Sequence, residues 1–121
     1  MTTAPTERTP TELAEAYVAA WKASDEVALR GLLADDVTFV GALGTANGID
    51  ECVAGLLGIG RILTDVVVKV RLADDHDVIT WFDLHTSIAP PAPTANWSHV
   101  EDGRITAIRV TFDPREIIAA G

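Results

Sequence analysis

At 121 residues the chain has the length of one domain, enough to bury about two-thirds of the surface its unfolded form exposes. Hydrophobic residues make up 48% and charged residues 22%, ordinary globular usage that argues against disorder and fibrous repeats. The formal charge of -9, with the basic residues scattered rather than striped, argues against a nucleic-acid partner.

Residues 1–8 combine Thr, Pro and Ala with Glu7 and Arg8. Such a segment is too poor in large apolar groups to dock, so a flexible arm is expected ahead of a single domain over 9–121. The start lacks the pattern of a signal peptide and no apolar run reaches the length of a membrane span, so a cytoplasmic location without a membrane partner is expected.

Thr9-Pro10-Thr11-Glu12 places a capping hydroxyl, a proline at the first helical position and a glutamate at the third, which predicts a helix start. Leu13, Tyr17 and Trp21 then recur every four residues and form its inward stripe. Ser24-Asp25-Glu26 caps a second short helix through Leu29, Leu32 and Leu33, followed by a first strand over Val37–Val40. Gly41, Gly44 and Asn47-Gly48 break that strand. Ile49 to about Ile59 reads as a third helix, in which Gly55 and Gly58 act as close-packing or end signals rather than a phosphate cradle. The single cysteine, Cys52, has no intramolecular disulfide partner and reads as a small buried apolar residue.

From Val66 to Leu72 the chain alternates as a strand, with Val66, Val68, Val70 and Leu72 on one face. The acidic turn Asp74-Asp75-His76-Asp77 closes it, and a long strand runs from Val78 to Ser87. Pro90, Pro91 and Pro93 stiffen the next connection. Asn96–Val100 and Arg104–Phe112 then form a hairpin around Glu101-Asp102-Gly103. Asp113-Pro114-Arg115-Glu116 repeats the cap-proline-glutamate signal before a short closing helix. This order predicts an α+β fold in which three N-terminal helices pack on a curved antiparallel or mixed sheet whose concave side forms a cone-shaped pocket.

The chemistry concentrates in Trp81-Phe82-Asp83-Leu84-His85-Thr86. Alternation puts Trp81, Asp83 and His85 on one face and Phe82, Leu84 and Thr86 on the other. If the first face is inward, a carboxylate and an imidazole stand in an apolar chamber and can do acid/base work. If the second is inward, Phe82 and Leu84 continue the apolar face of the Val66 strand and the two polar residues are solvated. No helical His and carboxylate spacing suits a metal, and no nucleotide-loop pattern occurs, so neither metal nor cofactor is expected.

Leu33-Ala34-Asp35-Asp36-Val37-Thr38-Phe39, Asn47-Gly48-Ile49-Asp50, Glu101-Asp102-Gly103-Arg104-Ile105 and Phe112-Asp113-Pro114-Arg115-Glu116 resemble the nuclear transport factor 2-like superfamily over nearly the whole chain. That group includes ketosteroid isomerases, limonene-epoxide hydrolases, scytalone dehydratases and small polyketide cyclases, and the resemblance implies a cone-shaped α+β barrel. Against ketosteroid isomerases, Tyr17 falls at the oxyanion-hole tyrosine and Asn96 at a protonated aspartate, while Gly41 stands where a general base is kept. Against limonene-epoxide hydrolases, Asp83 aligns with the aspartate that protonates the epoxide, or Leu84 does in a register shifted by one. Val110, Trp81, Phe39 and Gly41 replace the rest of that site. Scytalone dehydratases resemble the set His85, Asp83, Asn96 and Ser98 in residue type.

The resemblance implies that Asp83, His85, Tyr17 and Asn96 are catalytic, with Trp21, Phe39, Trp81, Ser98, Val110 and Phe112 holding the substrate. The implied function is cofactor-independent acid/base chemistry of isomerase, cyclase or dehydratase type on an apolar oxygenated substrate. The alternatives are a non-catalytic domain that binds a hydrophobic ligand, or epoxide hydrolase-like activity. Trp97 and His99 alternate with Asn96 and Ser98 and fall on the outer sheet face, where a homodimer contact is expected.

Overall fold

The computed structural model describes residues 8–120, so most of the expected arm lies outside the described residues. Helix α1 (Pro10–Lys22) begins as its sequence dictates. The Thr9 hydroxyl accepts from the Glu12 amide at 3.2 Å, and the Glu12 carboxylate accepts from the Thr9 amide at 2.8 Å. Leu13, Tyr17 and Trp21 are buried along one stripe. Helix α2 (Glu26–Leu32) is capped by Asp25, whose carboxylate accepts from the Ala28 amide.

Strand β1 (Leu33–Gly41) starts earlier than its β-rich core suggests, because Leu33 is already extended and pairs with Ile105. It returns through a tight turn into β2 (Gly44–Asn47), a four-residue edge strand that the glycines at 41 and 44 disguise as a loop. Helix α3 (Ile49–Gly60) follows as expected. Its interior glycines each cost roughly 0.5–1 kcal/mol against alanine. Close packing does not account for Gly55 or Gly58, since a Cβ at either position would have no atom within 4 Å.

Strands β3 (Leu63–Ala73), β4 (Asp77–Thr86), β5 (Ala92–Glu101) and β6 (Arg104–Thr111) form an antiparallel run. The β5–β6 turn needs positive φ at both Asp102 (51°) and Gly103 (74°), the reason this dipeptide suits it. Helix α4 (Arg115–Ala120) closes the chain. The sheet order is β2-β1-β6-β5-β4-β3, with β1 and β6 parallel. The result is the expected α+β architecture with one correction: the curved sheet is unclosed rather than a barrel. Among the described residues no helix is long and apolar enough to cross a membrane.

A bulge in β3 sets the two sheet faces. Val68 pairs with Phe82 and Val70 with Trp81, so Lys69 is an extra residue and the side-chain alternation inverts across it. Val66 and Val68 therefore lie on the helix-covered face with Leu84 and Phe82. Val70 and Leu72 lie on the outer face with Trp81 and Ile79, and the continuous inward row expected from Val66 to Leu72 is broken halfway. The core joins α1 and α3 to the inner face through Leu13, Val53, Leu56, Phe82, Leu84 and Ile108.

Candidate functional site

Between the helices and the inner sheet face lies a cavity of about 270 Å³. Tyr17 and Trp21 come from α1, Cys52, Gly55, Leu56 and Ile59 from α3, and Phe39, Phe82, Leu84, Thr94, Asn96 and Val110 from the sheet, with Phe112 just beyond β6. The turn into β2 contributes Leu43, Gly44, Thr45 and Ala46. The rings of Tyr17 and Trp21 stack with centroids 6.3 Å apart, and Trp21 meets Phe82 edge-on at 6.4 Å. The indole of Trp21 donates to the Leu56 carbonyl at 2.9 Å, so this aromatic wall is fixed to α3 as well as packed on the sheet.

The polar groups are few. Asn96 is buried and its amide nitrogen donates to the Ser98 hydroxyl at 3.0 Å. Thr94 turns its hydroxyl onto the Ala92 carbonyl. Burial pushes the Tyr17 phenol well above its ordinary value, with a smaller contribution from Cys52. Burial likewise raises the Cys52 thiol, and Glu51 adds to the shift. Both remain protonated at neutral pH. Among the described residues the lining includes no carboxylate, imidazole, ammonium or guanidinium.

Of the residues singled out in the sequence, Tyr17, Asn96, Trp21, Phe39, Val110 and Phe112 come together here. Ser98 is buried behind Asn96 and orients its amide, rather than lining the cavity as expected. Asp83, His85 and Trp81 do not enter it. Trp81 is 46% exposed whereas Phe82 and Leu84 are each 3% exposed, so the inward reading of Trp81, Asp83 and His85 is corrected. The Asp83 carboxylate lies 3.7 Å from the Lys69 ammonium on the outer face. His85 pairs across the strands with Asp65, whose carboxylate is held by Lys22 at 2.8 Å. The apolar inner residues Val66 and Val68 select Phe82 and Leu84 as their neighbours, which leaves the alternate residues outside.

At Gly41, where the resemblance left the place of a general base empty, the Phe39 ring fills the space, its edge 2.7 Å from where a Cβ would stand. Sequence reasoning missed Thr94, Leu56 and the Leu43–Ala46 segment as lining, and carried Phe82 and Leu84 only as the alternative inward face. That alternative rested on the valines of β3, whose single inward row the bulge at Lys69 interrupts.

On the outer face, His99 is held on both ring nitrogens, Nδ1 by Asp77 and Nε2 by Glu101, each at 2.7 Å. Asp77 also accepts from the Trp97 indole at 2.8 Å. Hydrogen bonds to Asp77 and then Glu101 raise His99 above its ordinary value, and the bond from His99 lowers Asp77.

The sequence profile of the SnoaL-like domain matches residues 14–108. No curated protein matches the chain in sequence. Among solved structures, a protein from Kribbella flavida DSM 17836 is 28% identical and superposes with a TM-score of 0.86 over 95% of this chain and 94% of its own. An NTF2-like protein from Cytophaga hutchinsonii ATCC 33406 is 22% identical, with a TM-score of 0.83 over 95% and 99%. An LEH-like epoxide hydrolase from M. tuberculosis is 21% identical, with a TM-score of 0.73 over 89% and 85%.

Proposed function

Starting from a chain that belongs to the SnoaL-like domain family of the nuclear transport factor 2-like superfamily, we propose that its cavity binds a neutral, apolar small molecule carrying an oxygen function. The observation behind this reading is the lining itself: aromatic and aliphatic walls, with Tyr17 and Asn96 as polar anchors and, among the described residues, no side chain that ionises near neutral pH. A charged ligand would lose its hydration without gaining a counter-charge. A neutral one gains apolar burial and a hydrogen bond to the phenol or the amide, the usual composition of a small-molecule site.

Paired aromatic probes test this. Wild-type protein should retain 2-naphthol more tightly than naphthalene by roughly threefold to tenfold, the worth of one net hydrogen bond. The Tyr17→Phe, Asn96→Leu double variant should lose that preference while still binding naphthalene. Asp83→Asn and His85→Gln should leave it intact. Equal binding of both probes by wild type overturns the reading.

A second reading keeps an enzyme. Two hydrogen-bonding groups, the Tyr17 phenol and the Asn96 amide, border one largely apolar cavity, an arrangement suited to stabilising negative charge that develops on a carbonyl oxygen. It favours an isomerase- or cyclase-type proton relocation in which substrate or water supplies the base. Dehydration through His85 and epoxide opening through Asp83 are given up, since both groups stand outside the cavity. Recovery of chemically altered ligand after incubation would favour this reading, and recovery of unchanged ligand the first.

The homodimer remains part of the proposal. Leu72, Ile79 and Trp97 stand side by side across β3, β4 and β5 on the outer face, and Val70, Trp81 and Ala95 form the adjacent row. Five of these six are large exposed apolar residues, a patch suited to a second copy of the chain.

A further inference from the structure

At two helical glycines of α3, the exposed Gly55 and the half-buried Gly58, a Cβ would meet nothing within 4 Å beyond the adjacent residues and the helix's own backbone. Gly60 differs, because its Cβ would stand 3.1 Å from the Ser24 hydroxyl. Packing therefore explains the glycine at 60 and not those at 55 and 58. Between these two, Gly55 borders the cavity and Gly58 does not.

The lining divides by exposure. Tyr17, Trp21, Leu56, Phe82, Leu84 and Asn96 are buried and form the deep walls. Leu43, Gly44, Thr45 and Gly55 are exposed, which places the start of β2 and one residue of α3 at the mouth. Leu43, 42% exposed, is the large apolar side chain at that rim. We infer that Gly55 sets the width of the cavity entrance, its missing side chain keeping the gap between α3 and the Leu43–Thr45 segment open to a ring-sized ligand. The inference rests on the reading of the cavity as a ligand site. A large residue at 55 fills empty space at the rim and leaves the deep walls unchanged. It therefore obstructs entry and exit more than it alters the bound state.

The test uses N-phenyl-1-naphthylamine, a neutral probe that fluoresces in apolar surroundings, mixed rapidly with wild type, Gly55→Leu and Gly58→Leu. Gly55→Leu should slow both uptake and release on the order of tenfold with little change in affinity, and Gly58→Leu should match wild type. Gly55→Ala and Gly58→Ala keep the test usable if a leucine variant misfolds. Each should raise the thermal midpoint by roughly 3 to 6 °C through helix propensity, and only Gly55→Ala should slow the probe. Unchanged rates in Gly55→Leu, or a lowered midpoint in Gly55→Ala alone, would overturn the inference while leaving the ligand site standing. Wild type that takes up no probe would overturn the ligand-site reading and the entrance with it.

Discussion

His99 illustrates how much a single residue's setting depends on its neighbours. Two carboxylates on opposite ring nitrogens require both nitrogens to donate, which is the imidazolium form. The folded state therefore raises His99 above its ordinary 6.5, and the associated stability is complete below that value and lost as pH rises through the raised one. Asp77 carries the opposite sign. Lowered below 3.8, its contribution holds above that value and fades as pH falls through the lowered one. The His76 ring lies 6.3 Å from that of His99, tilted by 30°. In urea titrations from pH about 5.5 to about 9, the stability lost in His99→Gln should be largest at the acid end and shrink toward the alkaline end. A difference that grows with pH would contradict the charged pairing.

The same residue scale shows what the sequence could and could not settle. Tyr17 and Trp21 were legible because helical spacing and a capping box fix one stripe without ambiguity. For β4, alternation sorted the side chains into two sets, but each set contained an aromatic, Trp81 or Phe82, so periodicity could not say which set turned inward. The resemblance favoured Trp81, Asp83 and His85, whereas the core chose Phe82 and Leu84. Lys69 hid the clue: by adding one residue to β3 it sent Val70 and Leu72 outward, and no residue type in that run signals a bulge.

Among elements, helices were read more securely than strands because their ends carry side-chain chemistry. The reciprocal bonds between Thr9 and Glu12 close the first turn of α1, and α1 supplies both Tyr17 and Trp21 to the cavity. Thr9→Ala should lower stability by about 1 kcal/mol in a denaturant titration, with the naphthol preference retained. A loss below about 0.3 kcal/mol would mean that packing alone sets the helix start. By contrast, β2 was missed because its four residues have little strand propensity of their own. Its existence depends on pairing with β1, from Thr38 opposite Asn47 to Gly41 opposite Gly44, and that pairing brings the Leu43–Ala46 segment to the cavity.

At the level of the whole molecule, the unclosed sheet has one face covered by helices and the other, among the described residues, uncovered. Trp97 is 46% exposed there, with its indole already tethered to Asp77. An anchored aromatic loses little conformational freedom when a partner covers it. Trp97→Lys should therefore give a folded protein that sediments as a monomer where wild type sediments as a dimer at micromolar concentration. A monomeric wild type, or a dimer that survives the substitution, would refute the outer face as the contact.

The parallel pairing of β1 with β6 has a consequence for how the chain acquires its shape. Strand β6 lies third in the sheet although it is the last strand made, and it joins β2-β1 on one side to β5-β4-β3 on the other. Until it arrives, the two halves share no strand pairing. The Arg109 guanidinium that reaches the Thr38 hydroxyl comes from 71 residues away along the chain. Such distant closure is slow compared with forming a hairpin. On the ribosome, β1 must wait with an unpaired edge while the rest of the sheet is synthesised. Assembly of the sheet therefore waits for β6, and the interval before it is when the nascent chain is most exposed to association with its neighbours.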